Sequence, residues 1–230
     1  MEFLRNPIFL LALTFVVYGM SKMLQRRVGL SLFNPILIAV SVLICFLLMS
    51  GIDYSTYYEG GKYIDFWLKP AVVALGVPLY KQLSTIRQQI VPIIVAELVG
   101  CVLGIVSVVV VGELFGASRE VIVSLAPKSV TTPIAMEVSR TLGGIPALTA
   151  GVVVCAGIFG GIAGFKFMKI SHIQHSSSQG LAIGTGAHAI GTATAMEKNE
   201  RCGSFSSLGL TLNGLFTALL TPFILSLFGY

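Results

Sequence analysis

"LAPKSVTTPIAMEVSR" runs from Leu125 to Arg140. It holds two prolines, a lysine, four hydroxyl side chains and a carboxylate, in a 230-residue chain that is 55% hydrophobic and 11% charged. A soluble domain carries about 25% charged residues. Here mean hydropathy is +0.88, and the apolar residues come in long blocks instead of thin amphipathic stripes. That pattern reads as an all-α polytopic membrane protein. A break with a full positive charge inside one of its blocks therefore needs a reason.

Lipid cannot hydrogen-bond a freed backbone group, so broken helix at membrane depth survives only against protein or in a water-filled cavity. Pro127 donates no hydrogen bond and restrains Ala126. The sequence predicts a helix restart at Pro133 with Thr132 as N-cap. Such a restart aims free N–H groups and the positive end of the helix dipole at the gap. Lys128 adds a charge there, and Ser129, Thr131 and Thr132 add hydroxyls. The set suits a small carboxylate. The plainer alternative is a Lys128 that snorkels to the interface from a hairpin tip.

A second interrupted stretch is "GTGAHAIGTATA", Gly184–Ala195. Its glycines interrupt a helix, or else let neighbouring backbones pack closely. His188 stands at its centre among Thr185, Thr192 and Thr194. A histidine in an apolar membrane block usually faces the bundle interior, where it could bond a substrate or carry a proton. A satisfied core histidine is the competing reading. Glu97, in "PIIVAELVGCVLG", is the other proton-coupling candidate; it could equally form a structural ion pair with Lys69 or Lys128. Glu137 and Arg140 are spaced for a local helix pair, and Asn213 for an interhelical hydrogen bond. His172 and His175 lie in a loop without metal-ligand spacing. Neither a Walker motif, GxSxG, HExxH nor CxxC occurs, so enzymatic chemistry, a cofactor and a metal are unsupported.

The apolar blocks fall at Pro7–Met20, Pro35–Met49, Phe66–Tyr80, Ile90–Val111, Ile145–Phe167 and Leu208–Phe228, with the two interrupted stretches between. Residues 53–65, with Asp53, Glu59 and Asp65, read as a wet loop. Seven or eight membrane elements are expected, two or three of them broken or re-entrant, in a single integral membrane domain spanning 1–230. The first block reads as a retained helix and not a removed signal peptide. Cys45, Cys101, Cys155 and Cys202 show no ligand spacing and read as free thiols. The positive-inside rule places Lys22–Arg27 and Lys81–Arg87 in the cytoplasm. It also favours a re-entrant hairpin at 119–142, because that returns Lys166 and Lys169 to the same side. Ser178–Asn199 would then dip in from the cytoplasm; if both stretches cross, the count is eight. "LKPAVVALGVPLY" and "LAPKSVTTPIAME" share a proline spacing that hints at an internal repeat. The net charge of +5 is explained by basic loops and calls for no nucleic acid.

The stretches "PKSVTTPIAMEV", "LGGIPALTAG" and "GTGAHAIGTATA" resemble signature stretches of the LrgB/CidB family, and the likeness extends over essentially the whole chain. The resemblance implies a bacterial cytoplasmic (inner) membrane location, multi-pass. It implies function in two forms. One is a holin/antiholin-like factor that modulates murein hydrolases and cell lysis. The other is a carrier of small monocarboxylates: pyruvate in some bacteria, and glycolate or glycerate in a plastid relative that fuses LrgA-like and LrgB-like parts. A small LrgA/CidA-type membrane protein is the implied partner, and assembly with further copies of the chain is compatible with the sequence. The expectation is a carrier, with Lys128, Ser129, Thr131 and Thr132 holding the carboxylate. His188 and Thr192 would close the site from the other broken segment.

Overall fold

The computed structural model describes the backbone of residues 3–28, 35–74 and 76–230. Asn34 and the side chains of Asp65, Lys69 and Pro78 lie outside the described residues, and with them the pairing of Glu97 with Lys69 and much of the proline echo. All regular structure among the described residues is helical. The chain divides into two compact units, Met1–Leu75 and Gly76–Tyr230.

The first unit holds α1 (Pro7–Val28), α2 (Pro35–Ser50) and α3 (Tyr54–Ala74). The expected wet loop at 53–65 is instead most of α3. Ser55, Glu59 and Lys62 are exposed, while Gly60 lies against the Pro7 carbonyl of α1, where a side chain would collide. Tyr57 Oη and Thr14 Oγ1, 2.9 Å apart, join the same two helices. Packing against α1 is the physical reason that a polar segment became helix.

The second unit holds α4 (Gly76–Lys81), α5 (Leu83–Gln88), α6 (Ile90–Leu114), α7 (Arg119–Leu125), α8 (Thr132–Thr141), α9 (Pro146–Ile170), α10 (Ser176–Lys198) and α11 (Glu200–Leu227). Among the described residues, α1, α6, α9 and α11 are long and apolar enough to cross a membrane, and α2 is a shorter apolar helix. The second unit turns large apolar side chains outward and buries a set of polar ones beside its apolar core. α6 exposes Val91, Val95, Val99 and Leu103 yet buries Glu97, and α11 buries Ser204, Ser206, Ser207, Asn213, Thr217 and Thr221. Water would reward the reverse arrangement; a hydrocarbon solvent rewards this one.

α6 and α11 run parallel. Ile93 clusters with Phe205 and Leu208 toward their first residues, and Tyr230 Oη bonds Glu113 near their last (3.0 Å). α9 runs the other way. Between these long helices sit two hairpins that enter from opposite ends. In the first, α7 descends along the end of α6, with Ile122 filling the space beside Gly112. The chain turns at 126–131, and α8 returns. The return is closed by Ile145 N–H, which donates to Ser124 Oγ at 2.7 Å, and by Thr149 Oγ1, which donates to Ser139 Oγ at 2.8 Å. A straight crossing would separate Ser124 from Ile145 by about 32 Å at 1.5 Å per helical residue.

The second hairpin is α10 itself. His188 has φ 41° and ψ −134°, and the helix folds back there. Gly191 lies against Ile183, and Lys198 bonds Gln179. Asn199 reaches Ser176. α11 then re-enters beside the first arm so closely that a Cβ on Gly180 or Gly184 would strike the carbonyl of Cys202 or Ser206. Both stretches that the sequence marked as interrupted are therefore hairpins with their turns inside the bundle.

Candidate functional site

The first hairpin's turn carries Lys128. Its Nζ donates to the Gly104 carbonyl of α6 at 3.2 Å. Gly104 is about ten residues, or about 15 Å, from the end of a helix some 37 Å long, so the turn reaches roughly mid-depth. Lys128 and Ser129 are half-buried, as are Thr131 and Thr132. The N-cap of α8 is Thr131, one residue earlier than expected, with Thr132 and Pro133 opening the helix. Pro fits the first turn because its missing N–H costs nothing there. The Thr131 side chain makes no cap bond, which leaves the first-turn N–H groups of α8 turned toward the break without a side-chain acceptor.

The second turn is His188, 3% exposed. Its Nε2 lies 2.9 Å from the Val153 carbonyl of α9, and a carbonyl can only accept, so Nε2 carries the proton. The ring fits against Gly157, where a Cβ would come within 2.5 Å of it. Thr192 Oγ1 donates to the His188 carbonyl at 2.9 Å and sits 2.9 Å from Ser206 Oγ of α11. A non-glycine residue at such a positive φ costs about 1–3 kcal/mol, and these three contacts hold it in place.

Two residues tie the turns together. Asn213, near the midpoint of α11, donates from Nδ2 to the Ser129 carbonyl at 2.9 Å and to the Thr185 carbonyl at 3.0 Å. One amide thus spans both hairpins. Val153 shares a buried cluster with Val130 of the first turn and Ala135, while its carbonyl accepts the hydrogen bond from His188.

Glu97 is 1% exposed. Its Oε1 lies 2.6 Å from Thr185 Oγ1, whose one proton is also in reach of the Leu181 carbonyl at 2.7 Å, and its Oε2 is buried without a partner, as is Asn213 Oδ1. The carboxylate lines a cavity of about 530 Å³ together with Gly100, Leu181, Thr185, Gly186 and Phe205. Neither the Lys128 nor the His188 side chain lines it. The backbones of the two turns are brought together, but Lys128 points to α6 and His188 to α9. Glu97 pairs with a hydroxyl on the second hairpin, not with Lys128.

Sequence reasoning rated Asn213 as an interhelical bond without seeing that both partners would be freed carbonyls. It missed the Glu97–Thr185 bond altogether. The available signal was position: each is a lone polar group at mid-length in an apolar stretch. The other local readings hold. Arg140 Nη1 bonds Glu137 at 2.8 Å on an exposed face, and the cysteines are free thiols.

Residues 14–227 match the LrgB-like family. A protein named YxaC from Bacillus subtilis (strain 168) is 38% identical over 221 residues, 96% of each chain. The holin-like protein CidB of Staphylococcus epidermidis is 35% identical over 223 residues, 97% of each chain. A Haemophilus influenzae protein is 37% identical over 215 residues, 94% of this chain and 93% of its own. No solved structure matches the chain significantly. Apolar outer faces, inward polar groups and matches at this length lead to one statement: the chain belongs to the LrgB-like family of multi-pass membrane proteins, alongside the CidB holin-like proteins.

Proposed function

We propose that the protein carries a small monocarboxylate, of the pyruvate, glycolate or glycerate kind, across the bacterial cytoplasmic membrane. The observation that carries this reading is the meeting of two hairpins from opposite ends of the unit at mid-depth, joined through Asn213. A hairpin that opens toward one side while the other stays closed gives access from that side alone, which is alternating access. The carboxylate's seat is the first turn: Lys128, the hydroxyls of Ser129, Thr131 and Thr132, and the N–H groups at the start of α8. His188 and Thr192 brace the turn of the second hairpin through the Val153 carbonyl and Ser206, and so set its position against the seat. The end that carries Lys81, Arg87, Lys169, Lys198 and Arg201 faces the cytoplasm by the positive-inside rule. An LrgA/CidA-type protein is the partner in the membrane.

A second reading, modulation of murein hydrolases as a holin/antiholin-like factor, is favoured by the name that the CidB relatives carry. The deciding experiment is uptake of labelled pyruvate and glycolate into proteoliposomes, with and without an LrgA-type partner. Lys128→Ala should lower uptake at least tenfold with folded protein still in the membrane. Lys128→Arg should also weaken it, since a planar fork does not replace a compact ammonium. Wild-type vesicles that take up neither acid in either format would leave the holin-like reading. Full uptake by Lys128→Ala would reduce the lysine to its bond with Gly104.

A further inference from the structure

We propose that Glu97, Thr185 and Asn213 form the seat of a small monovalent cation, a proton or Na⁺, that crosses together with the carboxylate. The inference rests on the carrier reading. Two acceptor oxygens, Glu97 Oε2 and Asn213 Oδ1, are buried with no donor, and such oxygens are costly unless something positive satisfies them. Both belong to side chains fastened to one residue. The Thr185 hydroxyl lies between Glu97 Oε1 at 2.6 Å and the Leu181 carbonyl at 2.7 Å, and the Thr185 carbonyl accepts from Asn213. The amide orientation of Asn213 is fixed by its two carbonyl partners, so its oxygen must point away from them.

The donor set is all oxygen with a single negative charge. Among the described residues no three His, Cys, Asp or Glu side chains gather, so the seat matches a monovalent ion in place of a divalent or N/S-ligated metal. The cavity beside Glu97 gives it a path, with Gln89 and Ser177 also on its lining. Gly209 of α11 keeps room for the carboxylate, because a Cβ there would come within 2.9 Å of Oε1.

The charges around Glu97 leave it to this role. On α6 the Cys101 thiol is engaged with Thr217 of α11, and Lys128 is held at Gly104. That places Lys128 two turns along the same face, about 10 Å away. His188 of α10 is turned to α9. Arg87 of α5, Arg119 and Glu120 of α7, and Glu200 and Arg201 of α11 are exposed. Cation and carboxylate would thus sit on one face of α6, one at each hairpin. Thr185 belongs to the moving hairpin and Glu97 to a long helix, so a bound cation holds the second hairpin shut. Together the two solutes carry no net charge, which removes the opposition of the membrane potential to an anion.

Purified full-length protein in detergent supplies the first test. Its melting temperature is followed against NaCl, with choline chloride as control, and against pH in Na⁺-free buffer. Wild type should be stabilised by Na⁺ or by added protons, because a ligand that binds only the folded state raises its stability. Glu97→Gln should lose that response, and Glu97→Asp should keep it at weaker apparent affinity, which guards against a mere folding defect. The second test is uptake under a tenfold inward gradient of Na⁺ or of protons. At one-to-one coupling it supports about tenfold accumulation, and Glu97→Gln should abolish the stimulation. Driving by Na⁺ alone or by protons alone names the ion. A wild-type melt that responds to neither ion, or a Glu97→Gln melt that responds as wild type does, overturns the seat. A cation-responsive melt without any carboxylate uptake keeps the seat and sinks the carrier reading. Uptake that ignores both gradients keeps the carrier and sinks the coupling.

Discussion

Replacing Asn213 by alanine should loosen both hairpin turns at once. The side chain makes two hydrogen bonds, at 2.9 Å to the Ser129 carbonyl and 3.0 Å to the Thr185 carbonyl. Alanine leaves both carbonyls in the interior without that donor. Interhelical hydrogen bonds in membranes contribute about 0.6 kcal/mol on average and up to about 1.7, and a stranded acceptor adds about 1–3 kcal/mol. Against this, the substitution also removes the unpartnered Oδ1, an offset of similar size to one of those losses. The net cost is about 2–4 kcal/mol shared between the two turns, so each turn loses about 1–2 kcal/mol, a roughly 5- to 30-fold rise in its local opening. Hydrogen exchange read by mass spectrometry in nanodiscs checks it, on peptides covering 125–134 and 184–194. Exchange should accelerate in both peptides together, while α9 stays as in wild type. Wild-type rates in both peptides would refute the bridge. Acceleration in one alone would refute the idea that a single amide couples the two.

Gly184→Val should cost about 1–3 kcal/mol by overpacking, since the obstacle is the Ser206 backbone carbonyl and not a flexible side chain; a melting curve in detergent checks it, and an unchanged midpoint would mean α10 and α11 can separate freely. His188→Gln keeps a donor for the Val153 carbonyl but loses the imidazole, whose ordinary pKa is about 6.5. If the cation rides on Glu97, this variant should still accumulate substrate under an imposed ion gradient, and loss of accumulation with intact downhill uptake would move the proton to His188. Ser124→Ala removes the acceptor of Ile145 N–H from the return of the first hairpin and should cost about 1 kcal/mol, read as faster exchange at Gly144 and Ile145.

The long helices were legible because a bilayer imposes length and apolarity together. The blocks at Ile90–Val111 and Ile145–Phe167 reappear as α6 and α9 with ends shifted by a few residues. Both interruptions were legible too, for different reasons. At 126–131 proline chemistry marks the turn directly. At 184–194 the glycines drew attention, yet the residue that turns is His188, and Gly180 and Gly184 serve the approach of α11. Composition placed the interruption and misassigned its cause. Residues 53–65 were misread because polarity was taken for a loop, whereas α1 supplies the surface that makes them a helix. What no local pattern could show is which distant group each lone polar residue meets. Glu97 and Thr185 are 88 positions apart, and Asn213 and Ser129 are 84.

That pairing also bears on the choice between a carrier and a hole. A pore assembled from many copies needs polar groups on the faces that line it or meet a neighbour. α6 turns valines and Leu103 outward, and the costly groups, Glu97, His188, Thr192 and Asn213, are each within 3% of full burial in a single chain. Their partners are in the same unit, and two of them leave one oxygen with no partner inside it. Burying such groups is expensive, and a strained His188 backbone adds to the expense. An arrangement that spends stability on mid-depth polar groups within one chain has a use for them there. Binding a small polar solute between two hairpins, as proposed above, is such a use, and uptake by reconstituted wild-type protein is the measurement that tests it.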